Sequence, residues 1–373
     1  MIMKIQPFKL ERYFAKYEFS APYLLSCSDC EALTQKELLA MADENSLKLW
    51  NELKLGYTES QGHPLLRKEI AKLHQNIKPE QVLVITPEEG IFIAMNNLLK
   101  KDDHVVTTFP GYQSLYEIAN SLGCKVSKWT PKNENGWIFD IDDLKSLIRD
   151  DTKLIVINFP HNPTGVALQE KELKEIIDLA RQKNIIVFSD EMYRFLEHDQ
   201  ANRTSSACDL YDNAISLFGM SKSFALAGLR IGWLTTKNSD LLKSFATYKD
   251  YTTICSSAPS EILAIMALRA KDKILKRNIG IIENNLKILD EFFAKHAKLF
   301  EWHRPKAGPI GFPTLKANID ISDFCLDLVE KKGVMLLPSK VYDFKGNYFR
   351  IGFARKNMPE ALEKLEEYLK ETY

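Results

Sequence analysis

Apolar and polar positions in the middle of the chain switch between two periods. Short runs rich in Val, Ile and Leu occur at Val82-Leu83-Val84-Ile85, His104-Val105-Val106-Thr107-Thr108, Leu154-Ile155-Val156-Ile157, Ile185-Ile186-Val187-Phe188 and Ile215-Ser216-Leu217-Phe218. Longer stretches with helical spacing of apolar residues follow at 91–99, 112–122 and 168–183. Strands that are apolar on both faces and separated by helices predict an open, mostly parallel sheet flanked by helices, and therefore an α/β fold. In such sheets the ligand site lies beyond the carboxyl ends of the strands, where loops enter helices.

The rest of the chain reads differently. A charged helix is expected over 272–293, then a β-rich region punctuated by Pro and Gly over 300–353, then an amphipathic helix over 359–370. That last helix has Glu360, Glu363, Lys364 and Glu367 on its polar side and Leu362, Leu365 and Leu369 opposite. This predicts a large domain over 45–270 and a smaller α+β domain made of 271–373 with 1–44. The sequence contains no internal repeat and no low-complexity linker.

Composition narrows the function classes. At 373 residues the chain can bury two cores. A formal net charge of zero with dispersed basic residues argues against nucleic acid or a polybasic membrane patch. No apolar run approaches the roughly eighteen residues of a membrane span, and residues 1–10, with Lys4 and Lys9, lack the apolar segment of a signal peptide. A small-molecule partner and a cytoplasmic location are expected. The six cysteines lack the paired spacing of a disulfide framework and read as free thiols. Cys27 and Cys30 form a C-x-x-C without a second ligand pair, which reads as chance spacing and predicts no metal site.

The candidate chemistry lies in three loops after predicted strands. The 154–157 run leads into Asn158-Phe159-Pro160-His161-Asn162-Pro163-Thr164-Gly165, a turn forced by its prolines and glycine. The 185–188 run ends in Ser189-Asp190-Glu191-Met192-Tyr193. The 215–218 run ends in Gly219-Met220-Ser221-Lys222, with Ala227-Gly228-Leu229-Arg230-Ile231-Gly232 beyond. An amide, an acid with a phenol, and an amine with a guanidinium are the groups a pyridoxal 5′-phosphate (PLP) site requires. The amine forms the Schiff base and then moves the substrate's Cα proton, and a buried carboxylate keeps the pyridine nitrogen protonated. An arginine matches phosphate oxygens two at a time.

With these motifs the sequence resembles the class I/II aminotransferases of PLP fold type I, over nearly its whole length. The resemblance implies a Lys222 Schiff base, with Ser221 beside it and Arg230 on the phosphate. It implies Asp190 on the pyridine nitrogen, and Tyr193 and Asn162 as donors to the ring oxygen. Tyr112, in Pro110-Gly111-Tyr112, resembles the aromatic that stacks on the ring. Tyr57, in Gly56-Tyr57-Thr58, resembles the tyrosine that reaches the phosphate of a neighbouring subunit, although Glu52, Lys54 and Glu59 also fit an exposed segment. Arg350, in Tyr348-Phe349-Arg350-Ile351-Gly352, resembles the arginine that clamps the substrate α-carboxylate, with Asn162 beside it. The family's substrates are an α-amino acid and a 2-oxo acid, and the resemblance implies a homodimer with active sites at the interface.

Two departures stand out. The phosphate cup reads Thr86-Pro87-Glu88-Glu89-Gly90 in place of small residues, which leaves Glu89 and Gly90 to supply N–H groups. Gly219 also stands where a hydroxyl residue is usual. Lyase, β-replacement or cyclising chemistry would use the same residues as transamination. A PLP-sensing regulator would need a helix-turn-helix that is absent, and a nucleotide-dependent oxidoreductase would need a G-x-G-x-x-G after a strand, also absent. The 306–312 segment, Lys306-Ala307-Gly308-Pro309-Ile310-Gly311-Phe312, leans towards a neutral or aromatic substrate side chain.

Overall fold

The computed structural model describes residues 5–373, apart from the side chain of Asn135. Lys4, part of the argument against a signal peptide, lies outside the described residues. The central sheet contains β1 (Val82–Ile85), β2 (His104–Thr108), β3 (Lys125–Trp129), β4 (Thr152–Asn158), β5 (Ile186–Asp190), β6 (Ala214–Gly219) and β7 (Gly232–Thr235). Their order is β1-β7-β6-β5-β4-β2-β3. The β3-β2-β4-β5-β6 pairings are parallel, while β7 runs antiparallel to both β6 and β1. β7 follows β6 through a loop with no crossover helix, which is why it returns antiparallel.

Successive side chains of a strand face opposite ways, so an apolar run buried on both faces supplies two cores at once. Leu154, Val156, Leu83 and Ile85 join one cluster with Ile91, Met95 and Phe245. Ile155, Ile157 and Val187 join another with Leu173, Ile176 and Ile177 of the helix Glu170–Gln182. Val82 and Val84 pack with Leu66, Ile70 and Ile265. The mixed, mostly parallel sheet with helices on both faces is the α/β arrangement of PLP fold type I.

A second core forms around a three-stranded sheet of Leu337–Pro338, Phe349–Gly352 and Ile310–Gly311. It includes Leu286 and Leu289 of the helix Lys271–Lys295, and Leu362, Leu365 and Leu369 of the helix Met358–Thr372. The 300–353 region also holds a helix, Ile321–Lys332, which its Pro/Gly punctuation hid. Asp320 caps its start by accepting from the Ser322 N–H at 2.9 Å, and Gly333 ends it in the left-handed conformation. Its apolar residues Ile321, Phe324, Cys325, Leu328 and Val329 carry the helical spacing. Among the described residues no helix is long and apolar enough to cross a membrane.

Candidate active site

The parallel register places the ends of β4, β5 and β6 side by side, with Asn158 opposite Asp190. The Asn158 side chain ties the first two loops together: its amide donates to the Asp190 carbonyl at 3.1 Å, and its Oδ1 accepts from the Asn162 N–H at 3.0 Å. After β6, the Met220 N–H donates to the Ile231 carbonyl at 2.9 Å and closes a loop that carries both Lys222 and Arg230. Arg230 has φ 54°, a left-handed conformation that costs a non-glycine residue about 1–2 kcal/mol. Its carbonyl accepts from the Thr86 hydroxyl at 3.0 Å, which joins this loop to the start of the helix Pro87–Leu98.

These loops open on a cavity of about 360 Å³ whose wall includes Tyr112, Asn162, Asp190, Tyr193, Ser221, Lys222, Arg230 and Arg350. The Lys222 amine donates to the Ser28 hydroxyl at 2.9 Å. Burial lowers the pKa of Lys222, with Asp29 opposing the shift, so its neutral, nucleophilic form is favoured. Asp190 accepts from the Met192 N–H at 3.0 Å. Burial pushes the Asp190 carboxyl up to about 7, against that hydrogen bond and the Lys222 charge. The Tyr193 hydroxyl is buried without a hydrogen-bond partner, and burial raises its pKa too.

Arg350 is only 1% exposed. Its Nε and Nη2 donate to the Ser26 carbonyl at 3.1 and 2.6 Å, while Nη1 donates to the Tyr342 hydroxyl at 2.7 Å and Asn162 Oδ1 at 3.3 Å. Tyr342, Ser26 and Ser28 were missed by the sequence reading. Ser26 and Ser28 flank Cys27 at a C-x-x-C read as chance spacing, Tyr342 ends the short helix Ser339–Tyr342, and all three meet the site only through the fold.

Three of the sequence-predicted residues lie outside the cavity wall. Tyr57 is 92% exposed on this chain's surface. Glu89 turns its carboxylate away, accepting from the hydroxyls of Thr252 and Thr253, the latter at 2.9 Å. Gly90 packs on the sheet, where an added Cβ would meet Ile85 at 3.2 Å. Glu88 is the cup acid that lines the cavity. It accepts from the Ser114 hydroxyl at 3.3 Å, and burial pushes it up to about 7. The 306–312 segment is absent from the wall as well, and Phe312 packs instead against Trp137, Tyr342 and Tyr348.

The two departures in the cup form one packing unit. A Cβ on Gly219 would stand 2.9 Å from Gly232 Cα and 3.0 Å from the Pro87 ring, and one on Gly232 would stand 2.6 Å from that ring. Pro87, with the Gly232 and Ile231 backbone, fills the space a side chain at 219 would need, and Pro87 supplies no N–H to a phosphate.

The residues present fit PLP. The cavity holds a half-buried amine, a buried carboxylate without a cationic partner in contact, and a buried phenol with only the Ser28 hydroxyl near it. These are the complements of an aldehyde, a pyridinium nitrogen and a ring oxygen. Fold and site together define a PLP-dependent enzyme.

Residues 24–365 match the family Aminotransferase class I and II. The chain is 30% identical over 295 residues to capreomycidine synthase from Streptomyces vinaceus, covering 78% of this chain and 75% of that protein. It is 27% identical over 336 residues to aspartate aminotransferase from Sulfolobus acidocaldarius, covering 84% and 82%. The crystal structure of a PLP-dependent aminotransferase from Streptococcus suis superposes with a TM-score of 0.93 at 33% identity, covering 100% of this chain and 99% of that one. The protein belongs to the class I and II aminotransferase family, and its cofactor is pyridoxal 5′-phosphate.

Proposed function

We propose that the protein transfers the amino group of an α-amino acid to a 2-oxo acid, with Lys222 as the residue that carries the cofactor. The observation that supports this best is the convergence in one cavity of the buried Asp190, Tyr193 and Arg350 with the half-buried Lys222. When bound, the cofactor supplies an aldehyde that captures amines and a protonated ring that accepts the electrons of the substrate Cα–H bond. Asp190 holds a proton on the ring nitrogen, while Tyr193 and Asn162 donate to the ring oxygen. Arg230 faces the phosphate, together with N–H groups at the start of the helix Pro87–Leu98. Tyr112 covers the ring. Arg350 grips the substrate α-carboxylate through its planar fork, held in place by Ser26 and Tyr342. Lys222, once released by an incoming amino group, moves the proton at Cα.

The second reading is lyase, β-replacement or cyclising chemistry, favoured by the relative named a synthase. An amino donor and a 2-oxo acid incubated with the enzyme should yield the complementary pair, with no ammonia released. Ammonia or a cyclised product, without amino transfer to the 2-oxo acid, would select the second reading. Borohydride reduction followed by peptide mass analysis should place the phosphopyridoxyl group on Lys222, and modification of a different lysine removes the assignment.

We also propose a cytoplasmic homodimer in which residues 45–270 form the large domain and 1–44 with 271–373 the small one. Leu55, Tyr57, Tyr251 and Ile254 are large side chains left half or more exposed. Large side chains left this exposed are consistent with a protein partner, and in the arrangement the family resemblance implies Tyr57 reaches the neighbour's phosphate. Sedimentation equilibrium should give a mass near twice 42.8 kDa. A monomer mass at micromolar concentration would remove the shared active site.

A further inference from the structure

The charges around the cavity do not balance. Its wall carries five carboxylates, Glu11, Glu18, Asp29, Glu88 and Asp190, against three cations, Lys222, Arg230 and Arg350. Asp29 is paired with Arg355 at 3.0 Å. On the reading above, on which this inference rests, Asp190 serves the ring nitrogen, Lys222 and Arg230 the cofactor, and Arg350 the substrate carboxylate. Glu11, Glu18 and Glu88 remain. Among the described residues none of them stands in an ion pair, and the hydrogen bonds of Glu11 and Glu88 come from the hydroxyls of Tyr112 and Ser114.

Position makes two of the three informative. The N-terminal helix Lys9–Tyr17 ends at its cap residue Glu18, and Glu11, Phe14 and Glu18 follow the i, i+3, i+7 spacing of one helix face. All three line the cavity. The Arg350 guanidinium lies 5.7 Å from the centre of the Phe14 ring. The group assigned to the α-carboxylate therefore rests against a ring with one glutamate about a turn before it and one about a turn after it. Burial raises the pKa of Glu18, with Asp29 and Glu11 adding to the shift and the more weakly felt charges of Arg355 and Lys222 opposing it. Glu11, Phe14 and Glu18 line the same cavity as Tyr193, Lys222 and Arg350, so the two glutamates face the space that holds cofactor and substrate on the reading above.

We propose that the amino acid taken by this site carries a cation at the end of its side chain, an ammonium or a guanidinium, read by Glu11 and Glu18 of the N-terminal helix. The α-carboxylate engages Arg350, and the distal cation neutralises carboxylates that no protein cation serves. A neutral side chain of equal length leaves them unpaired in a partly dry cavity, which is where the discrimination arises.

The test uses the cofactor-loaded enzyme with two matched pairs of donors, L-arginine against L-citrulline and L-lysine against L-norleucine, and with L-glutamate and L-phenylalanine as further donors. Amino transfer and the dissociation constant from the cofactor absorbance are both measured. In at least one pair the cationic member should be favoured by about 10- to 100-fold in both readouts, and the favoured pair tells guanidinium from ammonium. Glu11→Gln and Glu18→Gln should each bring that ratio down by about fivefold or more. A purely structural role for the N-terminal helix would weaken both members of a pair alike and leave the ratio unchanged, which overturns the proposal. Turnover of the neutral members or of glutamate that equals or exceeds that of the cationic ones also overturns it, while leaving the aminotransferase reading in place. Lack of any response to all six donors would sink that reading and this one with it.

Discussion

Replacing Asp190 by Ala is expected to lower turnover by roughly 10²–10⁴-fold while Lys222 still takes up the cofactor. Asp190 stands at the end of β5 in the wall of the cavity, and burial, with a smaller push from Glu191, raises its carboxyl to about 7. A protonated ring nitrogen beside it reverses that shift, so carboxylate and nitrogen each favour the charged form of the other. With Ala the nitrogen faces an apolar wall and loses its proton, and electron withdrawal from Cα fails while covalent capture does not. Turnover near the wild-type value in Asp190→Ala would show that another group holds the ring. The cofactor-free protein offers a second readout. Because the folded pKa lies above the free value of about 3.9, the native state binds the extra proton, and stability should decline as pH rises from about 4 towards 7. Asp190→Asn should flatten part of that decline, with Glu88 responsible for a further part.

Arg350→Ala is expected to cost about 2–5 kcal/mol of transition-state binding, because the substrate α-carboxylate loses its partner in a largely dry site. At about 1.4 kcal/mol per tenfold, kcat/KM for an amino acid should fall by roughly 30-fold to several-thousand-fold. Lysine should rescue little, since a point charge cannot reproduce the fork. The same substitution also frees the Ser26 carbonyl and the Tyr342 hydroxyl, so some loss of stability accompanies it. An amine without a carboxylate separates the two effects: its poor turnover should be nearly unchanged by Arg350→Ala. Equal losses for amino acid and amine would make Arg350 a support of the fold and not a reader of the carboxylate.

Much of this geometry is legible in the sequence because parallel strands end on one side of the sheet. Asn162, Asp190, Tyr193, Lys222 and Arg230 each follow an apolar run, and the register of β4, β5 and β6 brings them to one cavity whatever the loops do in detail. Arg350 was legible for another reason, through the resemblance of the 348–352 segment to the family's carboxylate-binding arginine. What periodicity could not give is the direction of side chains in the first turn of a helix. Glu88 and Glu89 are adjacent, yet one lines the cavity and the other turns to Thr252 and Thr253. Nor could it supply contacts between distant loops, such as Tyr342 and Ser26 around Arg350. The helix Ile321–Lys332 was missed because Pro and Gly on either side outweighed its own spacing.

The contact of Pro87 with Gly219 and Gly232 fixes the order in which this cup can change. A serine at 219 would collide with the Pro87 ring while that ring is in place, and removing the ring first would leave a void against two glycines. Removing the ring still leaves Gly232 Cα 2.9 Å and the Ile231 carbonyl oxygen 3.0 Å from a Cβ at 219, so a hydroxyl residue there also needs the β7 backbone to shift. The three positions therefore constrain one another, and a hydroxyl at 219 is accessible to this chain only through coupled changes.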